Sequence, residues 1–263
     1  MWNPYAELTP GKRWGLGLSS VIAVLAIWAV LTTFSLVSPA KLPSILDCVS
    51  AFGRLAWDGQ RGESPLMTAT MWSVARVFMA GVIVVSVGVP TGILMGASPS
   101  INALLSPLVD PFRSAPVVAI SPILVMWLGI GETMKIAFLF LGAVVYLIPM
   151  VRDAMIAVPQ QYWIAARDLG ASEWEAIWHA VFPMAKPRIA DAITVAVSVM
   201  WTYITVAEYV NAEQGLGQLI QNARRFSAMD QVFVGVFVIV ALALLTYGAM
   251  VWIKRKLYPW ESE

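Results

Sequence analysis

Long uncharged stretches decide where this chain can fold. They run from Trp14 to Ala40, Val77 to Val109, Ser114 to Gly131, Ile136 to Val151, Ala192 to Ala207 and Gln231 to Ile253. A helix needs about 20 apolar residues to cross a hydrocarbon core roughly 30 Å thick, and in lipid every backbone amide must be paired inside its own segment. Hydrophobic residues make up 59% of the 263 and charged residues only 13%, against about 45–50% and 25% in soluble domains. An ordinary soluble globular protein is therefore excluded. The net charge of +1 provides no basic field to hold a phosphate backbone, so nucleic acid is excluded as a partner. Disorder would need fewer apolar residues, and 16 Pro with 18 Gly do not suit one long coiled coil. An all-α integral membrane protein remains. Cys48 is the only cysteine, which rules out an internal disulfide and a thiolate metal cluster.

Lys12 and Arg13 precede the first uncharged run, as in a secretory signal, but a cleavable apolar core has only about 7–15 residues. The run reads as a retained anchor. The second run carries Gly88, Pro90, Gly92, Gly96 and Pro99, which predicts one helix, a turn near Ser98 to Ser100, and the start of another. The pattern predicts six spans, at about 15–37, 72–96, 103–128, 134–151, 190–209 and 231–253, in a single domain over 1–263. An even number places both termini on one side. Lys12, Arg13, Lys254, Arg255 and Lys256 flank the outermost spans, so the positive-inside rule places both ends in the cytoplasm. Lys41, Arg54, Arg61, Arg76, Lys135, Arg224 and Arg225 fall on the outer side or near its interface, and the bias rests mainly on the termini.

The segment from Val158 to Pro187 breaks the membrane pattern on the cytoplasmic side. Pro159 suits a first helical turn. Tyr162, Ala165, Ala166 and Leu169 then recur at helical spacing, and Gly170 stands where a left-handed cap is needed. Ser172 and Glu175 form a capping-box pattern, followed by Trp174, Ile177, Trp178 and Val181 on one face. This predicts a second short helix that stops around Pro183, with Pro187 beyond it. Neither helix is long enough to span. Their apolar stripes either rest on lipid headgroups or dock on a partner. Ala165 and Ala166 would allow that partner's backbone to approach closely, with Arg167 and Asp168 at the edge.

At this segment the chain resembles the permeases of binding-protein-dependent ABC importers. Ala165-Ala166-Arg167-Asp168-Leu169-Gly170-Ala171-Ser172 with Pro183 is similar to that family's cytoplasmic EAA loop, Glu-Ala-Ala with a glycine after it and Ile-x-Leu-Pro further on. The departures are Ile164 at the Glu position, Ala180 at the Ile position and Phe182 at the Leu position. Pro107-Leu108-Val109-Asp110-Pro111, Arg113 with Pro116, Ser121-Pro122, Trp127 to Glu132, Ala207-Glu208, Gly215-Leu216-Gly217 and Pro259-Trp260 look like the nitrate, sulfonate, taurine and bicarbonate group. The resemblance implies a type I ABC importer permease fold with a cytoplasmic coupling-helix hairpin, in a bacterial inner membrane. It also implies a homodimer, two cytoplasmic nucleotide-binding ATPase subunits and an extracytoplasmic solute-binding protein. On this reading Ala165, Ala166, Arg167, Asp168, Gly170, Ala171, Ser172, Trp174 and Pro183 dock the ATPase. ATP and Mg belong to the partner, since the chain has no Gly-x-x-x-x-Gly-Lys-Ser/Thr loop. The expected solute is a small anion, with a neutral or cationic heterocycle as the alternative.

Charges inside spans are costly and mark candidates for function. Glu208 near the outer end of the fifth span either lines a pathway or holds a neighbouring helix end through backbone N–H groups. An anion would be repelled by it unless it is paired or displaced from the route. Asp110 and Arg113 are spaced for an i, i+3 ion pair, and Arg76, the cation nearest the outer mouth, is expected to snorkel to the interface, with substrate contact as the alternative. Met126, Trp127, Met200, Trp201 and Tyr203 fall in the third and fifth spans and are pathway or gate candidates, with packing as the plain alternative. His179, the sole histidine, reads as a surface residue of the hairpin, with no catalytic or metal-binding motif beside it. An intramembrane protease would need a base inside the bilayer. A channel or scaffold without an ATPase would leave the hairpin unexplained.

Overall fold

The computed structural model describes residues 9–57, 64–210 and 213–261; Arg61, placed on the outer side from sequence, lies outside them. Helices and the turns that join them make up the described residues, with no strand among them. They divide into two compact units, Met1–Pro65 with Asn222–Val234 and Leu66–Gln221 with Gly235–Glu263.

In the first unit, α1 (Pro10–Thr33) is apolar on all sides, and none of its most hydrophobic window is buried within the chain. An all-round apolar helix must be covered by lipid or by another chain. The indole Nε1–H of Trp28 donates to Pro43 O at 2.9 Å, and its ring lies 5.8 Å from that of Phe233. A second helix, α2 (Ile45–Ala56), starts in a capping box built by Ser44 and Asp47. Arg54 pairs with Asp230 at 2.7 Å.

The second unit is organised around three long helices. α3 (Pro65–Ala97) runs unbroken through Pro90, which a membrane helix tolerates when neighbours satisfy the freed carbonyl. Ser98 then caps α4 (Pro99–Val109). Single turns of 3-10 helix at Pro111–Arg113 and Val117–Ile120 lead into α5 (Ser121–Leu128). After Gly129, at φ +71°, come α6 (Glu132–Ile156), α7 (Gln160–Asp168) and α8 (Glu173–Ala176). Next are α9 (Phe182–Tyr209), α10 (Leu216–Arg225) and α11 (Met229–Leu257). Among the described residues five helices are long and apolar enough to cross a membrane, and six if the bent pair made by α4 and α5 is taken as one span.

Three expectations are corrected. The segment expected as one helix over 103–128 is bent by 95°, because Pro111, Pro116 and Pro122 remove amides from a short stretch and the chain falls into 3-10 turns. Nor does the second hairpin helix stop at Pro183. A π-helical turn at Ile177–Val181 carries α8 directly into α9, and such a turn re-spaces the backbone ladder where the proline lacks its N–H. The 3-10 turn at Pro111 keeps Asp110 and Arg113 in backbone contact, Arg113 N–H donating to Asp110 O at 3.3 Å, but no ion pair joins their side chains among the described residues. Asp110 instead accepts from Arg152 at 3.0 Å, from α4 to α6.

Close packing of α3 along α6 depends on a Gly88, Gly92, Gly96 stripe. A methyl group at Gly92 would lie 2.6 Å from Val151 Cβ and 2.7 Å from Ile148 O, and one at Gly96 would lie 2.5 Å from Met155 Cβ. Glycines at four-residue spacing let membrane helices approach backbone to backbone. Since each step along α3 meets a later residue of α6, the two helices run parallel. Gly142 does the same between α6 and α9, where its missing side chain admits the Tyr203 ring. Gly92→Ala should overpack the α3–α6 seam at a cost of about 1–3 kcal/mol, lowering the thermal midpoint of the purified protein. Gly53→Ala, which meets open space, should leave that midpoint unchanged or slightly raised.

Candidate functional site

The α6–α9 pair is antiparallel, since the hairpin leaves the end of α6 and feeds the start of α9. It therefore has two distinct ends, with a polar hairpin at one and an ion cluster at the other.

At the hairpin end, Gly170 has φ +90°, the left-handed conformation that a side chain with a Cβ resists. Its N–H donates to Arg167 O at 2.9 Å and that of Ala171 to Ala166 O at 3.1 Å, a Schellman closure of α7. The Ser172 N–H donates to Glu175 Oε2 at 2.8 Å, and the Glu175 N–H returns to Ser172 Oγ at 3.3 Å. Two caps back to back fix the angle of the turn. Arg167 ties across it through Nη1 to Ala171 O at 2.7 Å, with its guanidinium 5.8 Å from the Trp163 ring centre. Trp174, Trp178 and Phe182 stack edge to face at 5.4 and 5.0 Å along the joined helix. The rigid turn is nonetheless uncovered. Leu169 is 90% exposed, and Tyr162, Ile164 and Trp174 are exposed with it. Ala165, Arg167, Asp168, Gly170 and Ser172 share that exposure, Ala166 and Ala171 are half-buried, and Pro183 is set at the start of α9. His179 is exposed and contacts Glu175 O through Nδ1 at 3.0 Å.

At the other end, Arg76 of α3 is 1% exposed and Glu208 of α9 0% exposed. Arg76 Nη1 donates to Glu208 Oε1 and to Gln214 O, both at 2.7 Å. Its other edge meets Glu132 at the start of α6, Nε to Oε2 at 2.6 Å and Nη2 to Oε1 at 2.8 Å. Lys135 Nζ adds a bond to Glu132 Oε1 at 2.7 Å. Glu208 also accepts from Ser73 Oγ at 2.7 Å and from the Gly217 N–H at 2.7 Å, and Ser73 Oγ takes the Leu216 N–H at 2.9 Å. That last part is a carboxylate at a helix N-terminus, the favoured place for an anion. The charges of Arg76, Lys135, Glu132 and Glu208 cancel.

This cluster corrects the expectation for Arg76. It does not snorkel, because two carboxylates and a carbonyl placed around it give its guanidinium a full set of acceptors where it stands. Of the two readings for Glu208, the geometry has it paired and gripping the α10 start. The loop that closes over it requires glycine: Gly215 has φ +132°, and a methyl group there would lie 2.5 Å from Glu208 Cδ and 2.6 Å from Arg76 Nη1.

The remaining candidates are not gathered together. Met126 and Trp127 on α5 are 75% and 73% exposed, whereas Met200 and Trp201 on α9 are buried. Tyr203 stands edge-on to Phe138 of α6 at 5.8 Å. Trp201 lines an apolar cavity of about 590 Å³ with Val77, Phe78, Gly81, Val197 and Met250, and its buried Nε1 has no hydrogen-bond partner among the described residues. Ser73, Glu132, Lys135 and Gln214 were not singled out as site residues from sequence. The available signal was the presence of ionisable side chains at the edges of apolar runs, which names candidates but not partners.

Residues 88–258 match the family model described as binding-protein-dependent transport system inner membrane component. The taurine transport system permease protein TauC of Escherichia coli K12 is 33% identical over 94% of this chain and 90% of its own length. The aliphatic sulfonates transport permease protein SsuC of Bacillus subtilis 168 is 27% identical over 96% and 91%. Among solved structures, the MetNI methionine ABC transporter in inward facing conformations superposes with a TM-score of 0.65 at 24% identity, over 73% of this chain and 95% of that one.

Removing one partner from a buried pair leaves the other charge uncompensated, at a cost of about 3–5 kcal/mol. Glu208→Ala should therefore sharply lower the yield of folded protein and its thermal midpoint. Ser73→Ala should lower the midpoint less, by the equivalent of about 1–3 kcal/mol.

Proposed function

Because the chain belongs to the family of binding-protein-dependent transport system inner membrane components, multi-pass transport subunits with the type I ABC importer permease fold, we propose that two copies of it form the inward pathway of an ATP-driven importer of small sulfonate-type anions. The observation that carries this reading is the twice-capped, uncovered hairpin at α7 and α8. Such a turn is stiff enough to transmit a push and offers Leu169, Ala165 and Ala166 to a partner. A nucleotide-binding ATPase subunit docks there on each copy, and closure of the ATPase pair draws the hairpins together. ATP and Mg are held by those subunits, for the present chain lacks a phosphate loop.

The hairpin and both basic termini lie in the cytoplasm of a bacterial cell, beneath its inner membrane. The ion cluster then lies at the outer end, where a solute-binding protein delivers its cargo. The sulfonate class is supported by the taurine and sulfonate relatives. It is also supported by electrostatics: Glu208, the carboxylate that would repel an anion, is neutralised by Arg76. The exposed Met126 and Trp127 of α5 face the second copy and the pathway, while Met200, Trp201 and Tyr203 pack the wall behind it.

Gentle extraction of the tagged chain from native membranes, followed by native mass spectrometry, tests the assembly. Two copies with two ATPase subunits, showing ATPase activity stimulated by a sulfonate-loaded binding protein, are expected. A stable assembly lacking any ATPase in several detergents would overturn the reading. Gly170→Val forces a β-branched residue into the left-handed region, which costs roughly 1–2 kcal/mol. This should leave the membrane protein folded but lower sulfonate uptake relative to ATP hydrolysis in proteoliposomes. Undiminished uptake would defeat the docking assignment.

A further inference from the structure

The ion cluster has a permanent half and an exchangeable half. Arg76 Nη1, Glu208, Ser73 and the Gly217 N–H form the permanent half, every side chain of it buried. On the far edge of the same guanidinium, Nε and Nη2 converge with Lys135 Nζ on the two oxygens of Glu132 at 2.6, 2.8 and 2.7 Å. The donors there are buried, Arg76 at 1% and Lys135 at 4%, but the acceptor is 42% exposed. Glu132 is the first residue of α6 and follows Gly129-Ile130-Gly131. Side chains at either glycine would meet open space. A carboxylate so placed can leave its donors by a local rotation, without disturbing a packed helix.

We propose that this cradle is an anion site in the permease itself, and that the sulfonate group of the solute takes it by displacing the Glu132 carboxylate. The proposal rests on the sulfonate reading above and assigns it a place in this chain. Charge makes the exchange feasible. With Glu132 withdrawn, Arg76 and Lys135 outweigh Glu208 by one positive charge, and a monoanion restores neutrality, so no buried charge is left unpaired at either stage. Geometry favours an oxyanion: the planar Nε/Nη2 edge is a bidentate donor, and the lysine ammonium beside it can donate to a third oxygen. Trp72, whose ring centre lies 5.4 Å from Arg76 Cζ, would stand beside the bound group and report on it.

The test uses the permease–ATPase complex in non-ionic detergent, without its binding protein and without lipid phosphate. Methanesulfonate is titrated against tryptophan fluorescence, with neutral methanesulfonamide as the control. Glu132→Gln removes the internal competitor and should tighten the apparent Kd for methanesulfonate by about tenfold or more, whereas Glu132→Gln with Lys135→Met should lose that gain. The sulfonamide should give no saturable response. Sulfonate uptake by the wild-type complex, with no saturable methanesulfonate binding to Glu132→Gln or with an equal response to the sulfonamide, would overturn the proposal and leave the importer reading intact. A wild-type complex that imports no sulfonate at all would overturn both.

Discussion

A guanidinium held away from water must be surrounded by acceptors, and the upper part of this bundle is arranged around that requirement. Arg76 alone links α3 to α6 through Glu132, to α9 through Glu208 and to the loop before α10 through Gln214 O. In a low-dielectric interior each of these bonds is worth more than it would be in water, and each lost partner costs more. Three long helices that pack by small residues along their length thus acquire one fixed meeting point. The glycine stripe of α3 sets how close α3 and α6 approach, while Arg76 sets their register.

The opposite end follows different physics. The hairpin is held by backbone caps, not by buried charge, so its geometry is local and survives exposure. Gly170 and the Ser172–Glu175 box make the turn rigid without any partner, and the π turn at Ile177–Val181 fuses its second arm to α9. In the proposed importer, a displacement of the hairpin would therefore be carried along an unbroken helix towards Glu208. Had α9 begun after a flexible break at Pro183, that lever would not exist.

These differences also explain what the sequence discloses. Caps and turns depend on residues three to six apart, so the Gly170 turn and the Ser172 box can be read directly from the letters. Membrane spans depend on composition over about 20 residues, and that too is legible, although the prolines at 111, 116 and 122 divide the third span in a way that hydropathy does not register. The partners of Arg76 are far along the chain, at 132, 208 and 214. Local spacing pairs Asp110 with Arg113, while the folded chain brings Arg152 to Asp110 instead. Ion partners in a helical bundle are set by which helix ends meet, and no short window of sequence contains that information.

Glu208 shows how a buried carboxylate can be accommodated inside a helical bundle. Such a group is unfavourable if free, yet here it is paired and organises the donors around it. By occupying Arg76 Nη1 and the Gly217 N–H, it turns the remaining edge of the guanidinium towards Glu132 and fixes it there. The negative charge at 208 thereby confines positive potential to the edge that faces Glu132. In the proposed anion site, the same carboxylate that stabilises the bundle end leaves the Nε/Nη2 edge as the one donor pair open to exchange.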